Sequence, residues 1–443
     1  MNRKKFYLVS LGCAKNTVDS ESMGALLQEA GFTPTERPSE AGVLIVNTCG
    51  FIHPARQESF QVLHDLARKK KRGQMLIAAG CLTQRYGQMV IEKVPGIDGI
   101  LGTRRWMDIV DLVQKLRGDS LYPQPLYHLP DAPTVGSDEK GVARVAVQGG
   151  SAYLKIADGC RRPCAFCAIP LIKGTAVSRP PEAILAETQE LRARGVNEVL
   201  LIAQDTTDYG HDLGMKDGLA QLLEKMVAAA PELPWIRILY AYPGYVTDRL
   251  MEVMANHPQI VPYLDMPLQH AHPLTLRRMR RPANMEWVYK TLEKMRAVIP
   301  NLALRTTFIV GYPGETEEEF QTLLDFMAEI KFDHVGAFTF SFEPGTASEP
   351  LGDPIPQEVK EERLQRLMNL QESISLARNQ SFVGQTQDVI IEGYNEGISV
   401  GRAYHDAPEI DGLVFIEGEL PVGSIRPVQI TGAMVHDLTG RPA

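Results

Sequence analysis

The sequence predicts a multidomain α/β plus β chain: an N-terminal open parallel α/β sheet, a central (β/α)6 half barrel and a C-terminal small OB-like β-barrel. Three observations carry the prediction. Short apolar runs alternate with helical patterns over residues 1–118, the same alternation gives six strand-like runs over 149–380, and five short alternating runs divided by glycine-containing turns fill 381–443. Strand–helix alternation implies parallel βαβ units, whereas closely spaced short strands imply a barrel. Between the first two parts, residues 119–148 hold Pro123, Pro125, Pro130 and Pro133 without periodicity, which reads as an extended linker.

Composition narrows the function classes. A chain of 443 residues, 44% hydrophobic and 23% charged, is an ordinary globular one, large enough to need no disulfide staples. The net charge of −8 argues against an obligate nucleic-acid binder. No run of about 18 apolar residues occurs, so no membrane span is expected. The start, with Arg3, Lys4 and Lys5 ahead of an apolar run to Cys13, imitates a lipoprotein signal, but the run is too short and reads as a strand. The six cysteines form two triplets without remainder, Cys13, Cys49 and Cys81, then Cys160, Cys164 and Cys167. That arrangement fits two three-thiolate metal sites in a reducing cytosol better than a secreted disulfide framework, so the expected location is cytoplasmic.

In the first part, apolar runs at 5–11, 43–48 and 74–79 are each followed by a helical pattern. Parallel strands put their C-terminal ends on one edge, where open α/β sheets bind ligands. Cys13, Cys49 and Cys81 each follow such an end, so topology brings them to one rim although they lie 36 and 32 residues apart. A single strand-end cysteine would read as a buried core thiol; three in consecutive units read as cluster ligands. The run Arg68-Lys-Lys-Lys-Arg72 invites a nucleic-acid reading but ends a helix beginning near Pro54, where cations favour the helix dipole and are normally solvated.

In the second part, strands are expected at 151–157, 197–203, 235–241, 262–266, 302–310 and 334–341. Barrels of this kind place their chemistry at the C-terminal strand ends. The loop Cys160-Arg161-Arg162-Pro163-Cys164-Ala165-Phe166-Cys167 follows the first strand, and three thiols leave one iron of a four-iron cluster without a protein ligand. Asp265, Gln269 and His270 follow the fourth strand, but a lone histidine is more often structural and His270 is left out of the chemistry. Arg277, Arg278, Arg280 and Arg281 end a helix and read as solvated.

The C-terminal runs at 386–392, 398–403, 413–416, 425–430 and 434–438 carry nine acids against three arginines and no lysine over 381–443, a charge of −6. Nucleic-acid affinity rests on Lys and Arg neutralising phosphates, so such a barrel repels RNA and attracts a basic protein. The plainer alternative is that the acidity serves solubility.

The C-x3-C-x2-C loop after the first strand, with Phe166 ahead of the last cysteine, resembles the signature of radical S-adenosylmethionine (SAM) enzymes. The resemblance implies a 4Fe-4S cluster whose open iron binds the amino and carboxylate groups of SAM, cleavage to a 5′-deoxyadenosyl radical, and Phe166 near the adenine. Thr307-Phe-Ile309-Val-Gly311-Tyr-Pro-Gly-Glu315 is similar to the family's fifth-strand adenine contact, making Ile309 and Gly311 cofactor candidates. Gln204-Asp205 stands where the family has Gly-Gly-Glu and departs from it. Both residues are carried as cofactor candidates, the alternative being a turn chosen for geometry.

Over essentially the full chain, the three parts resemble the methylthiotransferases, the last part as a TRAM-type barrel. The residues that carry this are Leu11-Gly-Cys13-x-Lys15-Asn16, Asn47-Thr-Cys49-Gly-Phe51 and Gly80-Cys81. The match is closest to the branch acting on a ribosomal protein, through Asp158-Gly-Cys160 to Arg179-Pro180, Gln204-Asp-Thr206 with Tyr209-Gly210, and Asp406-Ala-Pro-Glu-Ile-Asp-Gly412. It implies methylthiolation at the β-carbon of an aspartate in small-subunit ribosomal protein S-twelve, free or on the ribosome. Cys160, Cys164 and Cys167 then hold the radical-generating cluster, and Cys13, Cys49 and Cys81 a second 4Fe-4S cluster bearing the sulfur and methyl group. An electron donor is implied, while direct tRNA binding, a membrane partner and catalytic side chains beyond the cluster ligands are not expected. The rivals are a tRNA adenosine methylthiotransferase and a non-catalytic iron–sulfur or zinc scaffold.

Overall fold

The computed structural model describes residues 2–118, 125–130 and 139–443. Its first sheet is made of β1 (Asn2–Ser10), β2 (Thr33–Pro34), β3 (Ala41–Thr48), β4 (Met75–Gly80), β5 (Gly99–Gly102) and β6 (Leu126–His128), all parallel in the order β2-β1-β3-β4-β5-β6. Helices α1 (Ala14–Glu29), α2 (His53–Lys69), α3 (Cys81–Lys93) and α4 (Ile109–Gly118) cover it. Every residue of β3 is buried, because Val43 and Ile45 enter one core and Leu44 and Val46 another. A strand covered on both faces reads as an unbroken apolar run rather than an alternation.

The second sheet begins with a hairpin. β7 (Val145–Gln148) pairs antiparallel with β8 (Ser151–Lys155) through Gly149-Gly150. The short β9 (Ala157–Asp158) pairs with β10 (Val177–Ser178), and β11 (Glu198–Ile202), β12 (Trp235–Ile238), β13 (Ile260–Asp265), β14 (Ala303–Val310) and β15 (His334–Thr339) continue the open parallel sheet from β8. The six expected barrel strands are therefore present, with one antiparallel strand added at the edge. The inner face of the half barrel is filled from both sides: Tyr153, Leu200, Leu239 and Tyr263 pack with Val18 of α1 and with Ile390 and Ala407 of the C-terminal part.

Helix Gln357–Gln380 leads to β16 (Thr386–Asn395), β17 (Ile398–Ala403), β18 (Val414–Glu417), β19 (Ile425–Ala433) and β20 (Leu438–Pro442), a closed barrel in the order β16-β17-β18-β20-β19. It docks through buried charge. Glu198 takes Arg237 at 2.7 Å and Arg402 at 2.5 Å. In the loop Asp406–Gly412, Asp411 accepts from Tyr263 Oη at 2.7 Å and Arg305 Nε at 3.2 Å.

Three expectations change. Part of the linker segment is sheet, since Leu126–His128 and Val145–Gln148 are strands; residues 119–124 and 131–138, with Pro123 and Pro133, lie outside the described residues. The run Val-Ala-Val-Gln before Gly-Gly is a hairpin signal. The last strand starts at Leu438 rather than Met434, because Met434 N–H donates to the Asp437 carbonyl and closes a turn there. The basic run after α2 is not wholly solvated, as Lys70 pairs with Asp98 at 2.7 Å. Among the described residues no helix is long and apolar enough to cross a membrane.

Candidate active site between two cysteine triads

Cys13 follows β1, Cys49 directly follows β3, and Cys81 directly follows β4 as the first residue of α3. These three strands are neighbours in the sheet, so the three loops share one rim. Gly12 has φ +97°, and a Cβ there would lie 2.9 Å from Cys49 Cβ and 3.1 Å from its Sγ; only glycine lets the first two loops approach this closely. Polar side chains fix the rest. Asn16 donates to the carbonyls of Leu11 (2.9 Å) and Thr48 (3.1 Å), and its Oδ1 lies 3.6 Å from Cys81 Sγ. Ser59 Oγ accepts from Cys49 N–H at 3.0 Å and donates to its carbonyl at 3.1 Å.

The second triad is local. Cys160 N–H donates to Gly174 O, Ala165 N–H to Met279 O, and Cys167 N–H to Cys164 O, which holds the loop on the barrel mouth. Arg162 N–H points at Cys160 Sγ (3.4 Å), while its guanidinium bonds Asp205 at 2.6 Å and lies 3.5 Å from the Tyr245 ring centre. Arg281, read from sequence as solvated, is buried: its Nη1 is 3.5 Å from Cys164 Sγ and it stacks on Tyr242. Arg278 of the same run pairs with Glu319.

The loops that carry the triads meet, since Cys81 packs against Ala168 and Ile172, just beyond Cys167. Charge locks the seam on both sides. On one, Asp19 of α1 meets Lys155, Lys173 (3.0 Å) and Arg144 (3.4 Å) of the barrel side, with Asp158 sharing the same cations. All five side chains are buried. Burial alone would raise the Asp158 carboxyl, but Lys155, Lys173 and Arg144 overcome it and hold it far below the usual range. On the other side, Arg56 and Arg85 both reach Glu343, the latter at 2.7 Å.

The remaining cofactor candidates fall as follows. Phe166 and Ile309 join one apolar cluster with Met279, Tyr312 and Phe340. Gly311 has φ +72° and donates its N–H to Glu315 at 2.8 Å. Asp205 is committed to Arg162 and to Thr207 Oγ1 (2.5 Å), so its carboxylate shapes the loop. Gln204 is half-buried beside it. His270 is buried behind the site, where burial pushes it down to about 3, and Glu315, 3.7 Å away, is pushed up to about 7. Asp265 is buried against Arg305 (3.0 Å).

The donor set fits clusters rather than single ions. All six thiols are free. Burial pushes Cys81 and Cys167 up to about 12 and Cys160 to about 11, so they are poor free nucleophiles. Tetrahedral zinc, with Zn–S near 2.3 Å, draws thiolates to ~3.8 Å of one another. Among the described residues the one trio of ligand atoms within 4.8 Å is instead His334, His405 and Asp406. That trio is a docking contact: His334 Nε2 lies 2.7 Å from the His405 carbonyl and must carry a proton there, and Asp406 pairs with His405 Nδ1 at 3.0 Å.

A half barrel with a C-x3-C-x2-C loop at its mouth, joined to a sheet that brings a second thiol triad to the same seam, defines a radical SAM enzyme with an auxiliary cysteine domain. Comparisons with known proteins agree: residues 154–327 match the Radical SAM superfamily, 5–102 match Uncharacterized protein family UPF0004, and 383–442 match the TRAM domain. The chain is 48% identical to ribosomal protein uS12 methylthiotransferase RimO of Chloroflexus aurantiacus, covering 98% of this chain and 99% of that protein. It is 44% identical to the RimO of Desulforamulus reducens, covering 98% and 99%. The chain belongs to the RimO family of radical SAM methylthiotransferases. Among solved structures, the radical SAM methyltransferase TsrM of Kitasatospora setae shares the fold, with a TM-score of 0.61 at 14% identity over 78% of this chain and 75% of that one.

Sequence reasoning missed Arg281, Asp19, Tyr242 and Tyr240, whose ring centre lies 3.1 Å from Lys15 Nζ. An Arg just past a short helix and an Asp within α1 carry no local mark of burial. The Tyr-Ala-Tyr run after β12 follows the strand-end rule and was the available signal.

Proposed function

We propose that this protein inserts sulfur and a methyl group at the β-carbon of an aspartate in ribosomal protein uS12, using two 4Fe-4S clusters and SAM. One observation carries the reading: the loops of two three-thiol sites meet at one seam, Cys81 lying against the residues just beyond Cys167. Three thiolates are one fewer than a four-iron cluster has irons, so each site keeps a position for an exogenous ligand. The 48% identity to a uS12 methylthiotransferase along nearly the whole chain supports the acceptor.

Cys160, Cys164 and Cys167 would hold a cluster that, with SAM, would supply radical chemistry at an unactivated carbon, and Cys13, Cys49 and Cys81 would hold one supplying sulfur and methyl. This chain's residues bind and orient. Phe166 and Ile309 offer the adenine an apolar wall, and Gly311 lets the strand end pack against the Lys360 side chain, where a Cβ would clash with its Cγ. Gln204 lies just past the end of β11, while Asp205 acts by holding Arg162 beside Cys160. Asp19 and Glu343 keep the two domains at one separation. No side-chain base is needed, because a methylene C–H is far too weak an acid for one.

The exposed acids Asp388, Glu392, Glu396, Glu409, Glu417 and Glu419 outnumber the exposed bases Arg426 and Arg441 on the C-terminal barrel. Asp406, Asp411 and Arg402 are taken up at the docking face, and Asp437 accepts from Leu413 N–H within the barrel. A surface of this sign favours a basic ribosomal protein over tRNA. The setting we propose is the cytoplasm, with a reduced electron donor as second partner.

The test is incubation of the reconstituted enzyme with uS12, SAM and reductant, followed by mass spectrometry of the aspartate-containing peptide. A methylthio mass gain is expected. No gain on uS12, or modification and salt-sensitive binding of tRNA instead, sinks the assignment. A colourless zinc protein would return the scaffold reading.

A further inference from the structure

Lys15 stands two residues after Cys13 in the first turn of α1, and only 6% of it is exposed. Its ammonium sits 3.1 Å from the centre of the Tyr240 ring, so it crosses from the N-terminal domain to the barrel. Apart from Arg281, which is held by the Pro267 carbonyl and the Tyr242 ring beside Cys164, the other buried cations of the seam have carboxylate partners. Lys155, Lys173 and Arg144 share Asp19 and Asp158, Arg162 holds Asp205, Arg305 holds Asp265 and Asp411, and Arg85 holds Glu343. Lys15 has no carboxylate within ion-pair distance and no hydrogen-bond acceptor among the described residues. Its ammonium is nonetheless not sealed off, and Cys13 beside it is exposed.

A buried ammonium without an anion is costly, and an aromatic face offsets only part of that cost. The support beneath it is itself held in an unusual shape. Tyr240 has φ +63°, a left-handed conformation rare for an aromatic residue. Its carbonyl is fixed by Thr206 N–H at 3.0 Å. Strain of this kind persists where the surroundings enforce it and gathers at functional sites.

We infer that Lys15 is the specificity-determining residue that binds the side-chain carboxylate of the acceptor aspartate. This rests on the methylthiotransfer reading above. The β-carbon of aspartate is bonded directly to the carboxyl carbon, so bringing that carbon into the seam brings the negative charge in with it. A desolvated carboxylate needs a cation, and Lys15 offers an uncommitted one next to the triad from which the sulfur group is to come. An adenine ring brings no anion on its reacting carbon and would leave the ammonium unpaired. The same residue therefore selects an acidic side chain and positions the carbon beside the carboxylate.

The experiment compares wild-type enzyme, Lys15→Met and Lys15→Arg, each reconstituted, with iron content and visible absorption as the folding control. Dissociation constants are measured for purified uS12 and for uS12 whose acceptor aspartate is replaced by asparagine, and KM and kcat for native uS12. Wild type is expected to prefer native uS12 by about 10- to 100-fold, the worth of a charge-assisted hydrogen bond. Lys15→Met should lose that preference and raise KM by a similar factor, and Lys15→Arg should keep most of it. Equal preference in Lys15→Met and wild type overturns the proposal, as does a wild-type enzyme that binds both uS12 forms alike; the second result stands even if Lys15→Met fails to load iron. A wild-type enzyme that leaves native uS12 unmodified instead removes the reading on which the proposal rests.

Discussion

Cys160, Cys164 and Cys167 come from one eight-residue loop, whereas Cys13, Cys49 and Cys81 come from the ends of three neighbouring strands. The first set is shaped by a few backbone bonds, to Gly174, Met279 and Ser348. The second depends on β1, β3 and β4 being in register and on Gly12, Asn16 and Ser59 holding three separate loops together. A local loop can present its ligands almost alone, while a site assembled from a sheet exists only when the sheet is folded, so metal binding and folding are coupled more tightly there. Their surroundings differ too. Arg162 and Arg281 approach the thiols of the local triad, and Asn16 with the uncommitted Lys15 flanks the assembled one.

The sharpest way to break that comparison is to remove thiols from each side. Replacing Cys160, Cys164 or Cys167 by Ala should abolish 5′-deoxyadenosine formation from SAM. Replacing Cys13, Cys49 or Cys81 by Ala should leave it within a few-fold of wild type and eliminate the methylthio product. Chromatography of the nucleoside and mass spectrometry of uS12 read the two outcomes separately. Loss of 5′-deoxyadenosine in Cys13→Ala would mean that the two sites do not divide the work.

A smaller effect tests whether the seam must be rigid. Asp19→Asn leaves Lys155, Lys173 and Arg144 with Asp158 as their remaining carboxylate in a buried cluster. Breaking a buried ion network by removing one partner costs about 3–5 kcal/mol, so the denaturant midpoint should fall clearly. If a fixed separation matters, the yield of methylthio product per 5′-deoxyadenosine should fall as well. An unchanged yield in a destabilised protein would separate the lock from the chemistry.

The local triad was legible because its spacing is itself the signal. The assembled triad was legible only through topology, by placing each cysteine after a strand and letting parallel strands bring the ends together. The barrel strands showed as apolar runs, buried from β8 to β13 and only half-buried at the edge strand β15. What escaped was set by partners distant in sequence. Gly99–Gly102 and Leu126–His128 are too short to announce themselves and are strands because an open sheet edge awaits them. Arg281 and Arg402 look like solvated cations until Cys164 and Glu198 are seen to enclose them. The C-terminal charge tally was read as surface, yet Asp406 is buried in the docking face and Asp411 reaches into it toward Arg305.

That docking face gives a third attachment to set beside the two triads, built from buried charge like the Asp19 lock but holding no thiol. Burial would raise the Glu198 carboxyl, but Arg237 and Arg402 outweigh it and bring it down to about 2 from an ordinary 4.5. A carboxyl depressed on folding binds its proton more readily in the unfolded chain. Its stabilisation is therefore complete above about pH 4.5 and lost as the pH falls toward 2. At ~1.4 kcal/mol per unit this amounts to about 3 kcal/mol across the window. Trp235, buried in the cluster shared with Ile390 and Ala407, reports on the contact. The denaturant midpoint of the apo chain, followed by tryptophan fluorescence, should fall between pH 4.5 and 2 in wild type and change less in Glu198→Gln, which starts lower. At neutral pH, iron loading of both triads in Glu198→Gln should match wild type, because the C-terminal barrel supplies neither with a ligand. Loss of iron from the assembled triad alone would show that this barrel, through Val18 and the inner face of the half barrel, helps hold α1 and Cys13 in place.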